Sequence, residues 1–287
     1  MKFYLMTDLE GVAGITQWDD TTDERPSAQE RRERERRWLA GEVSAAVDGF
    51  FAGGATEVLV NDGHGAGCTL DLDHVDPRAR VLTGLGRPQW LPWLDATCGA
   101  TGLVGAHSQA ETREGCLYHT MDHLAIREWR FNGLALGEMG LQAAIAGHFG
   151  VPFVFVSGDA WACRELEELI PGVVTVPVKT GAGRNCALTC TPQEARRRIR
   201  EGAEVALGRV GGVAPFRLES PIHFREARYP AAFDSESPPA GWTVLSPHVR
   251  EAEFTDILDF MHGIFGFQRD WRPLEFTPAW QQREDSD

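Results

Sequence analysis

Lys2-Phe3-Tyr4-Leu5-Met6-Thr7-Asp8-Leu9-Glu10-Gly11 opens the chain, and its reading decides the fold. Residues 2–7 are apolar and β-prone, as a buried strand requires, and they stop abruptly at two carboxylates. The pattern recurs. Glu57-Val58-Leu59-Val60 runs into Asn61-Asp62-Gly63-His64, and Thr101-Gly102-Leu103-Val104-Gly105-Ala106 runs into His107. Val151-Pro152-Phe153-Val154-Phe155-Val156 ends in Ser157-Gly158-Asp159, and a run over 173–178 ends at Lys179.

Between these runs the apolar spacing turns helical. Ser27-Ala28-Gln29-Glu30 reads as a capping box, followed by Leu39, Val43, Ala46, Val47 and Phe50 and a Gly53-Gly54 stop. Further helices are predicted over about 137–149, up to Pro171-Gly172, and from a second capping box, Thr191-Pro192-Gln193-Glu194, to about Leu207. Short apolar strands alternating with helices predict an α/β fold, a mostly parallel sheet with helices on both faces. The expected organisation is an α/β catalytic domain over residues 1–210. After it, residues 211–265 read as an α+β extension or small subdomain of strands with a final helix over 251–265. An irregular tail, 266–287, carries Trp271, Pro273, Pro278 and Trp280 and is expected to lie on its own subunit or on a neighbour.

The 287 residues are 43% hydrophobic, enough for a large core and too apolar for a disordered chain. Acidic residues outnumber basic ones 42 to 28, a net charge of −14, which works against nucleic acid as a partner. The stretch Arg31–Arg37 (RRERERR) alternates in sign and reads as a solvated helix face. No apolar run reaches the roughly 18 residues of a membrane span, and the N-terminus has no signal-peptide stretch. The six scattered cysteines form no C-x-x-C pair, so the expectation is a cytoplasmic protein with reduced thiols.

The chemistry is expected where the strands end. In open α/β sheets ligands bind outside the carboxyl ends of the strands. That rule brings Asp8, Glu10, Asp62, His64, His107 and Asp159 toward one another. Carboxylates and imidazoles meeting there make an oxygen–nitrogen ligand set suited to zinc, manganese or iron. Each residue alone has a plainer role, a helix cap for an Asp or a satisfied polar contact for a His. The histidines at 74, 123, 148, 223, 248 and 262 show no such placement. The motifs H-E-x-x-H, G-x-x-x-x-G-K-[ST] and G-x-S-x-G are all missing, which argues against zincins, P-loop enzymes and serine hydrolases.

The opening segment through Gly11-Val12-Ala13-Gly14 resembles the DppA-type D-aminopeptidases, zinc metallopeptidases of dipeptide-transport operons. So do Val60-Asn61-Asp62-Gly63-His64, Gly105-Ala106-His107, Tyr118-His119-Thr120-Met121, Asn132-Gly133, Gly137-Glu138-Met139-Gly140-Leu141 and Ser157-Gly158-Asp159. The resemblance spans about residues 1–210, in the family's order, and departs from it at Ala106, Ser108 and Tyr118. It implies two zinc ions per subunit, with manganese or iron as alternatives, held by Asp8, Glu10, His64, His107 and Glu138. Asp8 would bridge them, and His119 would be catalytic, as general acid or as nucleophile. It further implies a small peptide or amino-acid amide as substrate, D-configured residues among them, and a homo-oligomer, a decamer built from pentamers. Asp62 is expected behind a ligating imidazole. Asp159 either caps a helix or receives the substrate's ammonium, the cap being the plainer reading. Lys179 and Arg184 bind backbone or a substrate carboxylate. Two other classes stay open on the residues alone: a non-catalytic peptide- or metal-binding module, and a two-metal hydrolase of another bond, such as a phosphoester.

Overall fold

The computed structural model describes residues 1–65 and 67–273. In chain order the first half contains β1 (Lys2–Thr7), α1 (Pro26–Ala52), β2 (Glu57–Asp62), β3 (Arg80–Leu82), β4 (Cys98–Ala106), β5 (Ile126–Phe131) and β6 (Leu134–Ala135). It continues with α2 (Glu138–His148), β7 (Phe153–Asp159), α3 (Ala160–Leu169), β8 (Val174–Gly181), β9 (Ala187–Thr189) and α4 (Pro192–Leu207). The last third holds β10 (Ile222–Arg228), β11 (Trp242–Ser246), β12 (Val249–Phe254) and α5 (Ile257–Phe265).

Seven strands form the main sheet in the order β3-β2-β1-β4-β7-β8-β9, parallel throughout except for β9 against β8. The buried patterns of β1, β4 and β7 explain the continuous apolar runs, because such strands are covered on both faces. Helices α1 and α4 pack on each other over one face, and α2 and α3 over the other. Phe3, Phe50 and Phe155 tie α1 to the sheet through rings 3.7 and 5.3 Å apart. This is the expected α/β fold. The chain runs outward from β1 to β2 and β3, then returns to β4 on the other side of β1. That reversal opens a crevice at the carboxyl ends of β1 and β4.

A second sheet, antiparallel, has the order β11-β12-β10-β5-β6. Two of its strands, β5 and β6, come from residues 126–135, so this sheet is built from both sides of position 210. The expected helix over 251–265 is corrected. Residues 249–254 alternate in burial with period 2 and pair with β10, and α5 starts only at Ile257, after Asp256 caps it through the N–H of Asp259. The first capping box is also corrected. Helix α1 starts at Pro26, its N-cap is Arg25 with no side-chain bond, and Ser27 lies inside the first turn. Of the second box the N-cap half holds, with Thr191 accepting from the N–H of Glu194, while the Glu194 carboxylate accepts from Arg197 and Arg198 instead of reaching back.

The arginines of 31–37 do more than face solvent. Arg31 pairs with the buried Glu35 at 2.8 Å, and Arg32 donates to the carbonyls of Asp20 and Asp23. They hold the loop between β1 and α1 against the helix. All six cysteines are unpaired. Among the described residues no helix is long and apolar enough to cross a membrane. The start of the tail lies on its own chain, with Trp271 edge-on to Trp93 at 5.0 Å, whereas Pro278 and Trp280 lie outside the described residues.

Two glycines let the strand ends close in. Gly105 has φ +87°, and a Cβ there would come within 1.9 Å of the Asp8 carbonyl oxygen. A Cβ on Gly11 would meet the Ala106 carbonyl oxygen at 2.0 Å. Gly105→Ala is therefore expected to destabilise the protein by at least about 2–3 kcal/mol, through backbone overlap and left-handed strain together. Chemical denaturation measures this, and a midpoint within error of wild type would refute it.

Candidate metal centre

The loop leaving β1 is fixed by backbone bonds before any side chain matters. The N–H of Asp8 donates to the Val104 carbonyl at 2.8 Å, and that of Gly11 to the Gly105 carbonyl at 2.7 Å. These bonds hold Asp8 and Glu10 against the end of β4, where His107 follows. His64 arrives from β2, which pairs in register with β1, Thr7 opposite Asp62. Glu138 is the first residue of α2, and a carboxylate at that end is favoured by the helix dipole.

Asp8 is the centre of the cluster, 6% exposed, with its two oxygens facing different imidazoles. Its Oδ1 is 3.1 Å from His64 Nδ1, and its Oδ2 is 3.2 Å from His107 Nε2. Glu10 Oε2 completes the first trio, 2.9 Å from His64 Nδ1. It is nevertheless a buried oxygen with no hydrogen bond of acceptable direction. Glu138 Oε1 completes the second trio, 3.4 Å from His107 Nε2.

These spacings fit cations. Ligand bonds of 2.0–2.1 Å at a tetrahedral angle place neighbouring ligand atoms about 3.3 Å apart. The two trios share Asp8, one oxygen each, as a carboxylate bridging two ions would. The orphaned Oε2 of Glu10 is a lone pair that protein donors leave free. His107 donates its Nδ1–H to the Ser108 carbonyl at 2.9 Å, so in the neutral ring the lone pair is on Nε2, which faces the cluster.

The electrostatics agree. Burial would push the Asp8 carboxyl up, but the charge and hydrogen bonds of His107 and His64 hold it well below its ordinary value. Burial would likewise depress His64 and His107. Glu10, Asp19 and Asp8 raise the former, and Glu138 and Asp8 the latter, both well above the ordinary histidine value. Without cations, protons hold these carboxylates together.

His119 differs from both. Its ring stacks on His107 at 3.9 Å and 14°, its Nδ1–H donates to the Leu117 carbonyl at 2.9 Å, and its Nε2 is 3.7 Å from Glu138 Oε1. Burial, together with the neighbouring His107, lowers its pKa, so the ring is neutral with its Nε2 lone pair facing the site. Residues on either side, Leu117 and Met121, have φ of +55° and +57°, a strained turn that aims the imidazole inward. His107, His119 and Glu138 could by proximity hold an ion among themselves, as could Asp8, Glu10 and His107. In the group with His107 and Glu138, His119 is the farther imidazole from Glu138, at 3.7 Å against 3.4 Å.

The structure thus brings together Asp8, Glu10, His64, His107, Glu138 and His119, and sets three expected residues elsewhere. Asp62 does not back an imidazole: its Oδ2 accepts from the N–H groups of Thr69 and Leu70, closing the loop after β2. The carboxylate behind His64 is Asp19, with Oδ2 3.8 Å from Nε2, which the sequence pattern did not single out. Asp159 is the cap of α3 and accepts from the N–H groups of Trp161, Cys116 and Gly181. Lys179 is buried and donates to the carbonyls of Glu10 and Ile15, so it binds backbone. Arg184 lies over the rings of Trp18 and Tyr118. His123, given no role from sequence, stacks on Trp18 at 4.1 Å beside His119. No spacing along the chain announces that Trp18, Asp19 and His123 meet here.

Comparison with known proteins adds a family. The family model Peptidase_M55, described as D-aminopeptidase, matches residues 1–233. A D-aminopeptidase of Bacillus subtilis (strain 168) is 34% identical over 216 residues, 75% of this chain and 77% of that protein. A solved structure described as the Zn-dependent D-aminopeptidase DppA from Bacillus subtilis, a self-compartmentalizing protease, superposes with a TM-score of 0.85. It is 27% identical and covers 93% of this chain and 96% of its own.

The loop carrying Glu10 is braced from beneath by Glu42 of α1, which accepts from the Ala13 N–H at 2.9 Å. Burial pushes the Glu42 carboxyl from 4.5 up to about 7, partly offset by that hydrogen bond and by Lys179. The folded protein therefore keeps this proton to higher pH than the unfolded chain. Its contribution to stability is full below about pH 4.5 and is lost as the pH rises through about 7, at most about 3 kcal/mol. Glu42→Gln should flatten the fall in urea midpoint between pH 5 and pH 8. An undiminished fall in the variant would show that the proton lies elsewhere.

Proposed function

This chain belongs to the D-aminopeptidase family, and on that footing we propose that it is a dinuclear zinc aminopeptidase. It would release the N-terminal residue, D-configured, from short peptides or amino-acid amides. The observation that carries the reading is the shared Asp8: its two oxygens lie 3.1 Å from His64 Nδ1 and 3.2 Å from His107 Nε2, and each imidazole meets a further carboxylate, Glu10 at 2.9 Å and Glu138 at 3.4 Å, in a crevice at the β1–β4 reversal. The residues that would hold the metals are Asp8, Glu10 and His64 on one side and Asp8, His107 and Glu138 on the other. When bound, zinc supplies Lewis-acid polarisation of the scissile carbonyl and lets water act as a nucleophile near neutral pH.

The remaining work falls to side chains of this chain. His119, neutral and with Nε2 facing the cluster, takes up the proton released by the attacking nucleophile and delivers it to the leaving amine. Its Nδ1 bond to the Leu117 carbonyl fixes the tautomer that makes this transfer geometrically available. Glu138 also accepts the Met121 N–H at 2.8 Å, which ties the His119 turn to the second trio. A phosphoester substrate is disfavoured: Lys179 is committed to backbone carbonyls, and among the described residues those lining the crevice include no lysine or arginine. A homo-oligomer is part of the reading, supported by the description of the solved relative as self-compartmentalizing.

Metal analysis should find two zinc ions per chain, and chelation should abolish hydrolysis of D-aminoacyl amides. His119→Ala should lower kcat by at least about 100-fold while metal content stays at the wild-type level. A fully active variant would remove His119 from the mechanism. Because the metals displace the raised protons of His64 and His107, zinc affinity should rise with pH, by at least about 10-fold between pH 6 and pH 8. Competition with a chelating dye measures it, and a flat profile would contradict the assignment of these ligands.

A further inference from the structure

The crevice has two unlike kinds of lining. One cavity of about 380 Å³ is lined by the charged cluster and by the apolar side chains of Trp90, Met121, Phe265 and Phe267. Phe265 and Phe267 lie beyond residue 233, where the family match ends. Phe265 is 36% exposed, a large apolar side chain left open at the cavity. Such an apolar wall beside a polar cluster is how a small-molecule site gains affinity from one and orientation from the other.

The wall is held in place. Helix α5 ends on Gly266 with φ +74°, a left-handed cap that reverses the chain, and the rings of Phe265 and Phe267 border the cavity 5.7 Å apart. His262 Nδ1 lies 2.8 Å from the Phe267 carbonyl oxygen. The Gln268 N–H donates to the Pro88 carbonyl at 2.8 Å, and Gln89 donates back to the Gln268 carbonyl at 2.9 Å. Arg269 then pairs with Asp259 at 2.8 Å and Asp256 at 3.3 Å. The aromatic rings are therefore pre-positioned, and little ordering cost remains for a ligand to meet.

Its location selects which part of a substrate it meets. Asn61, beside the first trio, donates to the Trp90 carbonyl at 3.3 Å and accepts from Arg87, which also binds the Asp62 carbonyl. Trp90 and Phe267 thus belong to the His64 side. His119, which handles the leaving amine, is flanked instead by Trp18 and His123. With the leaving group on the His119 side, the residue being released extends toward the apolar wall.

We propose that Trp90, Phe265 and Phe267 form the specificity pocket for the side chain of the substrate's N-terminal residue and select large apolar side chains. The assignment rests on the aminopeptidase reading and deepens it. Amino-acid amides test it, because their leaving group is always ammonia and only the N-terminal side chain changes. For zinc-loaded wild-type protein, kcat/KM for D-phenylalanine amide should exceed that for D-alanine amide. Phe267→Ala should lower that ratio about 10-fold, the scale on which apolar pockets discriminate. Phe265→Ala, at a more open position where folding is not at stake, should lower it as well, with metal content unchanged in both. Wild-type protein that hydrolyses none of the amides overturns the aminopeptidase reading and the pocket with it. Hydrolysis with a phenylalanine-to-alanine ratio that neither substitution changes overturns the pocket alone. A change confined to dipeptides that share N-terminal D-alanine and differ in the second residue overturns its assignment to the N-terminal side chain.

Discussion

A buried carboxylate between two imidazoles is costly unless both of its oxygens are engaged, and Asp8 meets that demand from a position that only close backbone approach creates. Its two oxygens face His64 and His107, which are delivered by the neighbouring strands β2 and β4. The strand ends come close enough because Gly11 and Gly105 carry no Cβ where one would overlap a carbonyl. The sheet order, the left-handed glycine and the pairing of Asp8 are parts of one constraint. Relaxing any of them would leave a charge buried alone.

That centre is surrounded by further buried ionisable groups, each bonded to backbone rather than to solvent. Lys179 holds the carbonyls of Glu10 and Ile15, Glu42 holds the N–H of Ala13, and Asp159 gathers three N–H groups from separate segments. Glu165 of α3 accepts from the Gln109 N–H, and burial pushes its carboxyl up to about 7. Loops at the carboxyl ends of parallel strands have no ladder partners of their own, so side chains supply them. Part of the acidic excess in this chain is therefore structural wiring and part is the cluster itself. The remainder is surface charge.

The second sheet and α5 extend the same site from the other side. Their aromatic core, Trp129, Phe131, Phe224 and Phe260, packs edge to face and fixes the direction in which α5 points. Residues at the tip of that helix reach a crevice whose charged members come from the first 138 residues. The Trp18–Asp19 segment is placed there by the arginines of α1, which clamp its loop. Chain segments far apart in sequence thus share one cavity.

The sequence by itself determined the parallel sheet and the strand-end carboxylates and imidazoles. Apolar runs that stop at polar residues are local signals, and the position of a ligand relative to a strand end follows from topology alone. Asp8, Glu10, His64 and His107 were legible in this way. Glu138 and His119 were not, because an acidic residue at a helix start and a histidine in a turn have commoner roles; the family resemblance pointed to them. Residues 251–254 read as helix in the sequence because charged residues mask a period of 2 until the partner strand is known. Asp62 was placed behind an imidazole for the same kind of reason, since adjacency in sequence does not say which way a carboxylate turns. Only the tertiary structure decided that Asp19 backs His64, that Trp18 and His123 flank His119, and that Phe265 and Phe267 line the same cavity as the carboxylate–imidazole cluster. These are contacts between loops and a distant helix, set by packing over long sequence separations, and no local pattern encodes them.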